Sequence, residues 1–303
     1  MRLSFHLAGH ICATLLMLLI GFNLAPAFSL PSAKPLSKDW HLVAASNIIA
    51  GAKINAPLKT LRKLQESKES AYINLQLTLH EPAKGKVEKS PIFVREYEGF
   101  QGLAGRPGSI TKLIGKDVLV FLIFVDDSDG AGIYFTSDGP STMRSFNKQD
   151  LLKIKREVAN QNYIVQHFKE FSIAKENHSD KEVRTLLSQL TVAKTQDEAW
   201  QKLLKLPRSS VPALIRALDD NRTLGHPQIE IPVPPGPQRF EEIAHYGPQI
   251  ILDAISILLD DKTNTSFGKI YNGGSTRERQ TVSNAWKVWA YYNLSDDKNA
   301  KSH

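Results

Sequence analysis

The chain has 303 residues, a net charge of +7 with both signs interspersed, and a single cysteine, Cys12. That cysteine count excludes a disulfide framework, a cysteine-ligated zinc site and, once the N-terminal segment is removed, a thiol nucleophile. The mild, scattered positive charge favours acidic partners or an anionic surface, and is far from the dense Lys/Arg stripe of a dedicated nucleic-acid binder.

Arg2 is the only charged residue before Lys34. The apolar run "ICATLLMLLIGFNL" (11–24) follows, then "APA" (25–27), with small residues at −3 and −1. This pattern predicts a secretory signal peptide over 1–27, cut after Ala27. The run is short for a span of ~20 residues and contains Asn23, which argues against an uncleaved anchor. No second transmembrane candidate follows, so the expected product is exported, periplasmic or extracellular. At about 275 residues it is long enough to bury a sizeable core, most naturally as two domains.

Residues 28–45, with "SLPSAKPLSKDW", read as a flexible lead. From 46 the texture becomes β. "NIIAGAKI" (47–54) is a first strand. "AYINLQLTL" (71–79) alternates, with Ile73, Leu75, Leu77 and Leu79 on one face. "SPIFVREY" (90–97) is a third. "KDVLVFLIFV" (116–125) is continuously apolar, as in a strand buried on both faces. "AGIYFTS" (131–137) follows the loop "DDSDG". Five strands with turns between them predict a small barrel. A long amphipathic helix over 148–169 closes it, with Leu151, Ile154, Val158, Val165 and Phe168 on one face. This β-domain occupies 46–171.

Residues 179–303 are read as a helical domain. Val183, Leu186, Leu187 and Leu190 share a stripe. Thr195 and Glu198 form a capping box before Trp200, Leu203 and Leu204, and Leu206-Pro207 ends that helix. Ser210 is placed to cap the next helix, Pro212 fits its first turn, and Val211, Leu214, Ile215 and Leu218 make its stripe. "GPQIILDAISILLDD" (247–261) is apolar nearly all round and belongs at the centre of its domain. A second capping box, Ser275–Glu278, opens a last helix with Val282, Ala285, Trp286 and Trp289 on one face.

"VPALIRALDD" (211–220), preceded by "TQDEAWQKLLKLPRSS", resembles the second and first helices of a bacterial HEAT-type repeat. The tail over 266–292 is similar to segments that follow such repeats in exported bacterial proteins. The resemblance implies stacked helix pairs in a compact domain, because such pairs cannot bury their stripes alone. Residues 46–171 resemble, more faintly, an OB-fold-like domain, with "HEPAKGK" (80–86) joining strands two and three. The expected class is therefore α+β: a five-stranded OB-like β-barrel followed by a compact α-helical HEAT-like domain.

The motifs of common enzymes are missing: no Gly-x-Ser-x-Gly, no His-Glu-x-x-His and no phosphate-binding glycine loop. "GLAGRPGS" (102–109) reads as a connection. "DDSDG" (126–130) reads as a hairpin turn, since Val125 stands where a calcium loop needs its first ligand. The Pro-rich insert 221–246 is the most suggestive stretch, because loops this long inside compact domains are often functional. It holds His226, Glu230, Ile231, Arg239, Glu241, Glu242 and His245. Its histidines and carboxylates would suit a metal-dependent hydrolase if they converged. Its alternation at Ile229, Ile231 and Val233 would instead suit a β-arm offering an edge to a partner. Trp286 and Trp289 are expected in the core, and Tyr291 and Tyr292 exposed near its end. The reading is an exported, non-enzymatic interaction protein with no cofactor and a protein partner in the cell envelope. His226, Glu230, Ile231, Arg239, Glu242 and His245 are its contact element. A polysaccharide or nucleic-acid binder using the barrel face, and a purely structural envelope component, are the remaining alternatives.

Overall fold

The computed structural model describes residues 31–32, 34–55, 71–86, 91–98, 113–125, 133–140, 143–176, 178–232, 243–268, 270 and 273–295. The expected signal peptide, the "GLAGRPGS" connection and the "DDSDG" turn lie outside them.

The fold is mixed α+β. Strand β1 (Ile48–Asn55) lies between two neighbours. It pairs antiparallel with β2 (Ala71–Lys84), Ile54 opposite Leu77, and with β4 (Asp117–Val125), Ile48 opposite Leu122. β2 continues antiparallel to β3 (Ile92–Glu98), and β4 to β5 (Ile133–Pro140). A short β6 (Arg144–Ser145) adds to β4. β3 and β5 meet in parallel at Val94 and Tyr134. The pairing therefore bends round on itself, but the sheet is not closed into a barrel. The expected barrel is corrected to an antiparallel sheet whose β3–β5 seam is a single parallel pair.

β4 behaves as its unbroken apolar run predicts. Val118, Val120 and Leu122 join Ile48, Ala52, Leu75, Leu77 and Val94 in one core. Leu119 and Phe121 point the other way, into a layer with Ile49, Val43, Leu151, Ile154 and Val158. β2 is longer than expected and runs through "HEPAK" to Lys84, with register shifts at Ile49/Ala50 and Gly51/Ala52 in its partner. A β-bulge of this kind bends a strand without ending its pairing.

Part of the lead expected to be loose is a helix, α1 (Trp40–Ala45). Tertiary contact explains it: Val43 and Ala44 are buried, and the Trp40 ring meets Tyr292 edge-on at 5.2 Å. Helix α2 (Lys148–Gln166) starts where expected, with the Asn147 side chain accepting from the Gln149 amide at 2.8 Å. Its first half packs on the sheet through Leu151, Ile154 and Val158, and Ile164 enters the core of the later helices. Val165 and Phe168, expected on that face, sit at its margin, and polar Glu157, Asn160 and Gln161 are buried instead.

The remaining helices are α3 (His178–Gln189), α4 (Ala193–Lys205), α5 (Val211–Arg216), α6 (Ile251–Thr263) and α7 (Thr276–Leu294). α3 packs against α4 and α5, and α5 packs against α6 and α7. α6 is the buried centre that its composition predicts, with Ile251, Leu252, Ala254, Ile255, Ile257, Leu258 and Leu259 all inside. The stripe Val211, Leu214, Ile215 and Leu218 is fully buried. Two expected caps fail. α4 begins at Ala193, so Thr195 lies within the helix, and its hydroxyl donates back to the Gln189 carbonyl at 2.8 Å. The Ser210 hydroxyl donates to the Pro207 carbonyl at 2.7 Å and leaves the start of α5 uncapped by that side chain. The Ser275–Glu278 box is present. Among the described residues, no helix is long and apolar enough to cross a membrane.

Candidate functional site

The insert leaves α5 through an exposed knot. Arg222 donates to the Asp220 carboxylate from both its side chain (2.7 Å at the closest) and its own amide (3.1 Å), an i,i+2 turn that reverses the chain. Leu224 then returns to the core, its amide donating to the Gln249 carbonyl at 3.0 Å. The Gly225 amide donates to the Leu190 carbonyl at 2.9 Å. A Cβ on Gly225 would lie 2.2 Å from the Ala193 nitrogen, so only glycine lets the two backbones approach this closely.

The next anchor is Gln196, fully buried in the first half of α4. Its Oε1 accepts from the His226 amide at 2.7 Å, and its Nε2 donates to the carbonyls of His226 (2.8 Å) and Gln228 (3.0 Å). The His226 ring completes the clasp, with Nε2 3.1 Å from Asp197 Oδ1. His226 is thus a half-buried tie to α4. A side-chain amide satisfied on both ends by a passing backbone fixes where the insert starts.

From there the chain forms a two-stranded ribbon, β7 (Ile229–Pro232) antiparallel to β8 (Ile243–Tyr246). The alternation at Ile229 and Ile231 falls on this ribbon. Ile229 roots it in the helical core. Glu230 stands opposite His245 in register, and Ile231 opposite Ala244. Arg239, Glu241 and Glu242 lie outside the described residues, as does Val233. The ribbon returns through Gln249 and Ile250, whose amides donate to the Asp253 carboxylate at 2.9 and 3.3 Å. Asp253 is fully buried and also holds Arg279 on both oxygens, at 2.9 and 2.8 Å. Both ends of the insert are therefore locked to the helices by buried polar side chains. Among the described residues, no cluster of three or more His, Cys, Asp or Glu is placed to hold a metal ion.

The aromatic tail lies inside the fold. Trp286 and Trp289 are buried as expected, and Tyr291 and Tyr292, expected outside, are buried too. Tyr292 is inside because its hydroxyl belongs to a polar hub: it donates to Glu157 Oε1 at 2.8 Å and accepts from Asn160 Nδ2 at 2.7 Å. The same Glu157 carboxyl accepts from the amides of Leu36 (2.6 Å) and Ser37 (3.2 Å), which pins the lead to α2. Burial raises the Tyr292 pKa above the ordinary tyrosine value, and the negative charge of Glu157 raises it further.

One feature carried no sequence signal. Where the end of β2 meets the start of α7, a cleft of about 650 Å³ is lined by Ser46, Asn47, Lys84, Arg277, Gln280 and Thr281, among others. Lys84 stood in the segment read as a loop between strands. Its ammonium donates to the Val43 and Ala44 carbonyls at 2.5 and 3.3 Å, capping the end of α1.

No protein-family model, curated protein or solved structure matches the chain.

Proposed function

We propose that the protein is an exported, non-enzymatic interaction protein that binds a protein partner in the cell envelope through β7 and β8. The observation that carries this reading is the ribbon itself. Each strand has a neighbour on one side only among the described residues, while Gln196 and Asp253 hold its two feet. A rigidly rooted strand with an unpaired edge is the arrangement that adds a strand from another chain, with backbone hydrogen bonds giving affinity. Pro232 at the end of β7 limits how far such pairing can extend along that strand. In this reading the helices from α3 onward are a HEAT-like scaffold that presents the ribbon, and the contact element is His226, Glu230, Ile231, Arg239, Glu242 and His245. The OB-like reading of the sheet domain is supported by its strand order, a β1-β2-β3 meander with β5 parallel beside β3 and β4 beside β1.

Crosslinking and pull-down of the tagged protein from its native cells test the reading. They are repeated with residues 230–245 replaced by a short Gly-Ser turn that leaves the Gln196 and Asp253 anchors intact. Loss of a specific partner with an unchanged urea midpoint supports the ribbon as contact element. A partner retained at full yield overturns it.

A second reading rests on Phe93, which is 65% exposed on β3 opposite Gln76 in β2. An exposed ring on a polar sheet face suits a sugar or base. Phe93→Ala would then abolish retention on a polysaccharide column, and unchanged retention removes this reading.

A further inference from the structure

The cleft at the start of α7 carries positive charge. Lys84 and Arg277 both line it, and no Asp or Glu is among the residues that do. Elsewhere on the same helix, cations are matched. Arg279 is held by Asp253, and Lys287 by Asp219 at 2.7 Å. A smaller cavity of about 340 Å³ is lined by Arg279, whose charge Asp253 already neutralises. Arg277 has no such partner among the described residues. It lies over the Phe124 ring, 4.5 Å from the centroid, which orients the guanidinium without using its N–H donors.

The walls are also fixed in place. Asn47 accepts from the Phe124 amide at 2.8 Å and donates to the Thr281 hydroxyl at 2.7 Å, which in turn donates to the Arg277 carbonyl at 2.9 Å. This relay ties the sheet to α7 within the lining of the cleft. Gly85, also in the lining, has φ +74°, and a Cβ there would lie 2.3 Å from the Asn47 carbonyl. The turn that presents Lys84 is therefore closed by the wall itself. Lys84 spends two donors on the α1 carbonyls and keeps a third. Burial lowers its pKa to about 8.

We propose that this cleft binds a small polar anion, with its carboxylate or phosphate group on Lys84 and Arg277 and its uncharged part against Gln280 and Asn284. Its volume is that of an ordinary small-molecule pocket. A preoriented guanidinium and an ammonium lining one cleft form the cation pair that carboxylate and phosphate groups select. The Gln280 amide donates to Asn284 Oδ1 at 2.7 Å, leaving the Gln280 carbonyl and the Asn284 amide for a ligand hydroxyl or amide.

The test is calorimetric titration of the purified protein with matched pairs of probes: glucose 6-phosphate against glucose, and succinate against succinamide. The expected result is one-to-one binding of at least one anion, at least tenfold tighter than its neutral counterpart. The pair that discriminates tells phosphate from carboxylate. Arg277→Gln, at an exposed position where folding is retained, weakens that binding at least fivefold, and Lys84→Met does the same where it folds. Lys181→Gln, in a different groove, changes nothing. The proposal is overturned if neither anion binds tighter than its neutral analogue, or if Arg277→Gln leaves the affinity unchanged.

Discussion

Tyr292→Phe isolates the buried hub that joins the lead, α2 and α7. The substitution keeps the ring and its edge contact with Trp40 at 5.2 Å, so it opens no cavity larger than a hydroxyl. It removes one donor to Glu157 Oε1 (2.8 Å) and one acceptor of Asn160 Nδ2 (2.7 Å). Glu157 keeps three donors: the amides of Leu36 and Ser37, and Gln161 Nε2 at 2.8 Å. A bond to a carboxylate is worth about 1.5–3 kcal/mol and a neutral bond about 1. The expected loss is therefore about 2–4 kcal/mol, a large share of a domain stability of roughly 5–15 kcal/mol. Urea unfolding reads it as a lowered midpoint at unchanged slope. A double-mutant cycle with Glu157→Gln should give a coupling of about 1 kcal/mol or more. A loss below about 0.5 kcal/mol, or no coupling, would refute the hub as a stabilising element.

Asp253→Ala strips α6 of its cap and leaves Arg279 without its buried carboxylate; the expected loss is about 3–5 kcal/mol by chemical denaturation. Gly225→Ala forces a methyl against the backbone of Val192 and Ala193, at 2.6 and 2.2 Å from the nearest atoms. It should cost about 2 kcal/mol or more and speed amide exchange at His226, whose amide is held by Gln196. Lys84 titrates at about 8 when folded and near 10.5 when unfolded, so between these values the unfolded chain binds more protons. Stability of the native protein relative to Lys84→Met should therefore rise with pH across that window, and parallel midpoint curves would contradict it. Tyr292 acts oppositely: its raised folded pKa means stability is lost as pH climbs above 10, and Tyr292→Phe removes that fall.

What the sequence discloses follows from periodicity. The alternation at 71–79 and the unbroken run at 116–125 mark strands because each reports how many faces are buried, and β2 and β4 bear this out. The box Ser275–Glu278 is legible because both its bonds are local. The box at Thr195 misleads because the chain turns earlier: Val192 occupies the N-cap, and the threonine hydroxyl finds the Gln189 carbonyl instead. Helix α1 is hidden in a Pro/Ser/Lys-rich lead because six residues have no periodicity of their own, and Trp40 and Val43 are ordered by partners far along the chain. The burial of Glu157, Asn160 and Gln161 is invisible for the same reason, since Tyr292 and the Leu36 and Ser37 amides arrive from more than a hundred residues away. In the insert, alternation offered a β-arm as one reading, but nothing in the sequence marked Gln196 as the residue that fastens His226. The cleft joins Lys84 to Arg277 through a fold that no local pattern encodes.

The most direct test of the ribbon as the contact element is photo-crosslinking from single positions in living cells. A crosslinking residue placed at Ile231 or Ala244, on the two strands, should trap one discrete partner of fixed mass. The same residue at Leu152, exposed on α2, should trap none. Equal yields from Leu152 and the ribbon, or no product from the ribbon positions, would contradict the account.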